Sequence, residues 1–216
     1  MEIDFRDVVS NWRRAWRIPG FRFQVIATTL VLVSLAFTIN RFFSFVQARS
    51  GTVIDDPILN EIGPYDMSVY IFVLIYIGLV MGLMYLIKFP MTLVKVAQAY
   101  ALLVFLRMGT LVMFPLEPSK LIIPLSDPLV DQFFYNNNVI TKDLFFSGHV
   151  ATLFLFVLGV PNPLKYFFIV ITLSVAILIL IQHVHYTIDI LAAPLFSWIA
   201  YKIAGLFTVK IPDIRH

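Results

Sequence analysis

The sequence predicts an all-α fold, a polytopic membrane bundle of six transmembrane helices forming one domain over residues 1–216. Two observations predict it. The chain is 60% hydrophobic and only 13% charged, where an ordinary globular domain is roughly 45–50% apolar and 25% charged. Its apolar residues also fall into six blocks close to bilayer length. Cysteine is absent, which excludes a disulfide framework, a thiolate metal site and a cysteine nucleophile. No internal repeat or low-complexity tract interrupts the pattern.

Residues 1–20 carry charges and tryptophans where a cleavable signal peptide would be apolar. They read as a basic interfacial segment, with Trp12 and Trp16 at headgroup level and Arg13, Arg14 and Arg17 beside anionic lipid. A bilayer core about 30 Å thick takes about 20 apolar residues per helix. On that measure the spans are expected over residues 23–45, 69–87, 91–114, 144–160, 166–182 and 187–207. Pro90 marks the turn before the third span, and Pro161-Asn162-Pro163 the break after the fourth, which is short. Between the third and fourth lies a polar loop, residues 115–142, rich in Pro, Asp and Asn.

Lysine and arginine placement orients the bundle. Most of the 16 basic residues gather with the termini and the second-to-third and fourth-to-fifth turns: Arg6, Arg13, Arg14, Arg17, Arg22, Lys88, Lys95, Lys165, Lys202, Lys210 and Arg215. The other side has Arg41, Arg49, Arg107, Lys120 and Lys142, and most of the acids, including Asp55, Asp56, Glu61, Asp66, Glu117, Asp127, Asp131 and Asp143. Both termini are therefore expected in the cytoplasm, with the two larger loops outside or in a lumen.

Ionisable groups inside spans cost about 2.5–3.5 kcal/mol each on insertion scales, so they are functional candidates. His149 opens the fourth span, His183 and His185 close the fifth, and Asp189 lies near the start of the sixth. Antiparallel neighbours bring these ends to one outer level. His185 and Asp189, four apart, share a helix face if the sixth helix begins at or before His185. The carboxylate would then accept the imidazole N–H, fix its tautomer and stabilise its charged form. Ser147-Gly148-His149 would present helix N-terminal N–H groups to an anion, with Gly148 allowing close approach and His149 acting as acid and base.

Asp143-Leu-Phe-Phe-Ser-Gly-His149 and His185-Tyr-Thr-Ile-Asp189 resemble the two catalytic motifs of the sphingomyelin synthase family, a branch of the type-2 phosphatidic acid phosphatase superfamily. Arg107-Met-Gly-Thr-Leu-Val-Met-Phe-Pro115-Leu-Glu-Pro118 is similar to that family's motif ahead of the long outer loop. The resemblance covers about residues 107–201, and the family's six-helix plan fits the whole chain. It implies a membrane-embedded phospholipid headgroup phosphotransferase working through a phosphohistidine. His185 would attack phosphorus, Asp189 would orient it, and His149 would protonate the leaving diacylglycerol and then deprotonate the acceptor. Arg107, Asp143, Ser147, Gly148 and Tyr186 would line the phosphate. The implied partners are membrane lipids, a phospholipid donor with a ceramide or diacylglycerol-type acceptor. The resemblance implies neither a metal nor another cofactor, and no nucleic acid.

The sequence departs from the phosphatase branch. No Lys-x6-Arg-Pro string occurs, and Leu178-Ile179 stand where those enzymes place Ser-Arg. The missing cationic clamp favours a singly charged diester over a monoester, with Arg107 or Lys142 as sources of compensation. The short chain and the absence of a cysteine ahead of Asp143 set it apart from eukaryotic members, so a bacterial inner membrane is the expected setting.

Several residues carry a second reading. Asp143 is either the N-cap of the fourth helix or an orienter of a histidine. Arg107 is either snorkelling to headgroups or binding phosphate. His183 could form an HxH metal site with His185 and Asp189, but residues two apart on a helix diverge, which favours a structural or substrate-lining role. Glu117 and Asn136, Asn137 and Asn138 read as solvated loop. Rival functions are a lipid phosphate phosphatase or a phospholipase-C-like hydrolase at the same site, and a transporter or scramblase. The last expects Gly or Pro breaks at the midplane, whereas here the breaks fall between spans.

Overall fold

In a computed structural model, the residues described are 5–125 and 140–209, and all of their regular elements are helices. In chain order these are α1 (Phe5–Trp16), α2 (Pro19–Ala48), α3 (Pro57–Glu61), α4 (Ser68–Leu86), α5 (Pro90–Met113), α6 (Gly148–Gly159), α7 (Leu164–Ile181) and α8 (Thr187–Phe207). Part of the expected outer loop, with Asp127, Asp131, Asn136, Asn137 and Asn138, lies outside the described residues, as do Lys210 and Arg215. Five helices, α2, α4, α5, α7 and α8, are long and apolar enough to cross a membrane. They mark a multi-pass membrane protein.

The centre of the bundle is the shortest of the apolar helices. α6 packs against α4, α5, α7 and α8, and Val150, Ala151, Leu153, Leu155, Phe156 and Val157 are all buried. Those positions point in every direction around a helix, so α6 is apolar all round because protein surrounds it. On α4, Gly78 and Gly82 stand one turn apart and let α6 come close. A Cβ on Gly78 would lie 2.7 Å from Leu153, and one on Gly82 would overlap the Phe156 ring. Small residues at such a seam let helix backbones approach where lipid supplies no hydrophobic drive. α2 packs mainly on α5 and leaves Phe23, Ile26, Leu30, Val33 and Phe37 exposed, as a lipid-facing outer helix would.

The fourth expected span needs correction. Helix forms only over Gly148–Gly159, 12 residues, roughly 18 Å at the α-helical rise and short of a 30 Å core. The residues before it, 143–147, enter the bundle without helical structure, and Leu144, Phe146 and Ser147 are buried. Irregular backbone survives inside a membrane protein only where other groups satisfy it. Here α5 does so, the Arg107 Nη2 donating to the Asp143 carbonyl at 3.0 Å and the Thr110 hydroxyl to the Phe145 carbonyl at 3.0 Å. The backbone N–H of Ser147 donates to the Asp189 carbonyl on α8 at 3.1 Å.

At the opposite end α1 lies against the α4–α5 turn. The indole N–H of Trp12 donates to the Ile87 carbonyl at 2.8 Å, and the Asn11 side chain to the Lys88 carbonyl at 3.0 Å. Phe5, Val9 and Trp16 stay exposed, and Arg13, Arg14 and Arg17 are exposed beside them. That is the amphipathic pattern of a helix lying in the interface plane.

Candidate active site

The ends of α2, α5 and α7 and the starts of α4, α6 and α8 meet at one end of the bundle, and the polar residues collect there. His185 precedes α8 rather than lying on it, since the N-cap is Tyr186 and the first helical residue Thr187. The shared helix face expected for His185 and Asp189 is thus replaced by a cap geometry. Asp189, in the first turn, turns back. Its Oδ2 accepts the Tyr186 backbone N–H at 3.1 Å and lies 3.2 Å from Nδ1 of His185. An acceptor already holding one N–H requires the proton on Nδ1 of the imidazole. His185 and Asp189 are 2% and 0% exposed. The contact is made through Nδ1, so Nε2 of His185 takes no part in it.

The α6 N-terminus forms the second wall. Ser147 is its N-cap but makes no cap bond, and its fully buried hydroxyl has no partner. His149 follows in the first turn, edge-on to the Phe72 ring of α4 at 6.2 Å. Gly148 faces Arg107, and a Cβ there would stand 3.1 Å from two atoms of the guanidinium. Arg107 does not snorkel, being 8% exposed and paired with Asp143, Nη2 to Oδ1 at 2.7 Å and Nε to Oδ1 at 3.0 Å. Asp143 is therefore not the N-cap of α6, which is Ser147, and the group it holds is the Arg107 guanidinium. The buried Asp189 Oδ1 and Arg107 Nη1 are also without hydrogen-bond partners. Unsatisfied buried polar atoms are uncommon and call for an explanation, and here they gather at a helix N-terminus beside a histidine.

The loops above this floor are held by Asp56 and Gln182, to which the sequence reading gave no role, and by His183, for which it favoured a structural or substrate-lining one. Asp56 accepts the Thr187 backbone N–H at 2.6 Å and its hydroxyl at 3.0 Å, while also capping α3 at Ile58 and Leu59. Burial pushes the Asp56 carboxyl up, but the bonds from Thr187, Leu59 and Ile58 together hold it below its ordinary value. The Asp-Pro pair at 56–57 is a local signal for an N-cap, whereas nothing local reveals Thr187 as a partner. Buried Gln182 joins Ser68, Met67 and Ile123. His183, with φ at 57°, sets its Nε2 2.8 Å from the Ile62 carbonyl and its Nδ1 3.4 Å from the Ser119 hydroxyl. Its ring is spent on loops.

Tyr186 is likewise committed, its hydroxyl donating to the Glu117 carbonyl at 2.9 Å and accepting from the Ile54 N–H at 3.3 Å. It clamps the two outer loops, which also pair through Thr52 and Leu116, rather than reaching toward phosphate. Glu117 is no solvated loop residue. Lys142 donates to it at 2.7 Å and the Gly51 N–H at 2.9 Å. Those contacts, the Lys142 ammonium foremost, hold its carboxyl below the ordinary range. Among the described residues, no group of three His, Asp or Glu side chains is arranged to hold a metal ion.

No family model matches the chain, and no curated protein matches it. What the site can do is set by its own geometry: an imidazole held by a carboxylate, a helix N-terminus beside the unpartnered Arg107 Nη1 and Ser147 hydroxyl, and a second histidine in the first turn of that helix.

Proposed function

We propose that the protein is a phospholipid headgroup phosphotransferase of the sphingomyelin synthase type, working through a phosphohistidine on His185. The observation that carries the reading is the His185–Asp189 contact, 3.2 Å between buried groups, which leaves Nε2 as a nucleophile. A carboxylate behind an imidazole fixes its orientation and stabilises the cation formed as the ring reacts. In the first step Nε2 of His185 attacks phosphorus, the N–P bond forms and the bond to the diacylglycerol oxygen breaks. His149, as imidazolium, gives its proton to that oxygen. In the second step neutral His149 takes the proton of a lipid hydroxyl, that oxygen attacks phosphorus, and the N–P bond breaks. The α6 N–H groups and the unused Nη1 of Arg107 support the phosphate oxygens as charge builds on them.

For the topology we propose six crossings, the non-helical residues 143–147 and α6 together making the fourth. Both termini then lie in the cytoplasm with α1 on the inner leaflet, and the site opens to the outer or lumenal face. The clustering of Arg13, Arg14, Arg17, Lys88, Lys165 and Lys202 at the end away from the site supports this orientation.

The test is to supply the purified protein in detergent with fluorescent ceramide and mixed phospholipid donors, with His185→Ala as control. A phospho-ceramide product that vanishes in the variant is expected, and the donor consumed names the headgroup. Diacylglycerol with a free phospho-headgroup and no ceramide product would make the enzyme a hydrolase. Loss of phosphate from phosphatidic acid alone would make it a phosphatase.

A further inference from the structure

Arg107 is more than nine-tenths buried, yet only two of its three nitrogens meet protein acceptors. Nε and Nη2 grip the Asp143 carboxylate, and Nη2 also takes the Asp143 carbonyl. Nη1 has no hydrogen-bond partner and lies 3.1 Å from where a Gly148 Cβ would be, at the start of α6. The unpartnered, fully buried Ser147 hydroxyl is in the adjoining residue. A guanidinium cannot discharge itself by losing a proton, so a neighbour must balance it, and Asp143 does. Lys142 is balanced in the same way by Glu117. The site thus offers an anion several hydrogen-bond donors and about half a charge from the helix end, but no uncompensated arginine. A second negative charge on the incoming group would face the Asp143 carboxylate across the guanidinium.

We propose that Asp143 sets the charge selectivity of this anion site. By neutralising Arg107 it makes the site accept a phosphate with one negative charge, a diester, and reject one with two, a monoester. The inference rests on reading the site as one for phospholipid phosphate, and its test needs no turnover. Binding to the full chain in neutral detergent is measured for short-chain phosphatidylmethanol and for phosphatidic acid with the same acyl chains. The two differ by one methyl ester, and at about pH 8.5, above the second phosphate ionisation, by one charge. The wild type should bind phosphatidylmethanol the more tightly. Asp143→Asn, which keeps shape and an acceptor, should shift the ratio about tenfold or more toward phosphatidic acid, and Asp143→Glu should keep the wild-type order. An unchanged ratio in Asp143→Asn, or a wild type that prefers phosphatidic acid, overturns the proposal. Should Asp143→Asn fail to fold, the wild-type and Asp143→Glu orders decide it. Intact selectivity without any ceramide product would sink the transfer reading and leave this one standing, and product formed without selectivity would do the reverse.

Discussion

Asp56, at the start of a loop helix, holds Thr187, the first residue of α8, by two hydrogen bonds of 2.6 and 3.0 Å. A residue 131 positions away in sequence thereby fixes where the helix carrying Asp189 begins, and with it the position of His185. Asp56→Ala removes the cap of α3 and strands the Thr187 N–H. A loss of about 2 kcal/mol or more is expected from charge-assisted bonds to a buried carboxylate, read by thermal unfolding in detergent, together with at least a tenfold fall in transfer.

The same contact predicts a pH dependence. The folded-state pKa of Asp56 lies below its ordinary value of 3.8, so its stabilisation is complete above that value and fades as pH falls through the lowered one. Unfolding temperatures should therefore drop as pH falls below about 4 more steeply in the wild type than in Asp56→Asn. Parallel curves would show that the carboxylate is not what holds α8.

Gly148→Ala should keep the fold and lose transfer. The added methyl would meet the guanidinium at 3.1 Å, and Asp143 pins that group so it cannot swing away. A fall of at least tenfold in activity is expected, with helical circular dichroism unchanged. Full activity would mean that phosphate does not approach between Gly148 and Arg107.

Asp189→Asn can still accept the Tyr186 N–H but removes the negative charge behind His185. Transfer should fall about a hundredfold or more, and labelled donor should leave little phosphoprotein on rapid acid quench. Normal phosphoprotein formation would exclude Asp189 from supporting the nucleophile.

Tyr186→Phe separates a clamp from a ligand. Losing the hydroxyl frees the Ile54 N–H and the Glu117 carbonyl, so about 1 kcal/mol of stability should go while the KM for donor stays put. A large rise in KM with unchanged stability would return Tyr186 to the substrate.

At the core seam, Gly82→Leu should destabilise by about 1–3 kcal/mol through overpacking, because Phe156 already fills the space. Wild-type melting would mean that α6 can move away from α4.

The sequence by itself determined the long helices and the end of the bundle where His149, His185 and Asp189 sit. The span expected over 187–207 matches α8, and the other long spans agree within a few residues. That success has a local cause, since partition into lipid is set by the side chains of one contiguous segment. Tertiary structure decided what depends on distant partners. Residues 144–147 are apolar enough for a span, yet Arg107, Thr110 and Asp189 satisfy their neighbourhood's backbone and hold it out of the helix. The roles of Asp143, Tyr186 and Asp56 were likewise hidden, because each depends on a hydrogen-bond partner at least 36 residues away. Apolarity is a property of a segment, whereas the satisfaction of a buried polar group belongs to whatever the fold brings beside it.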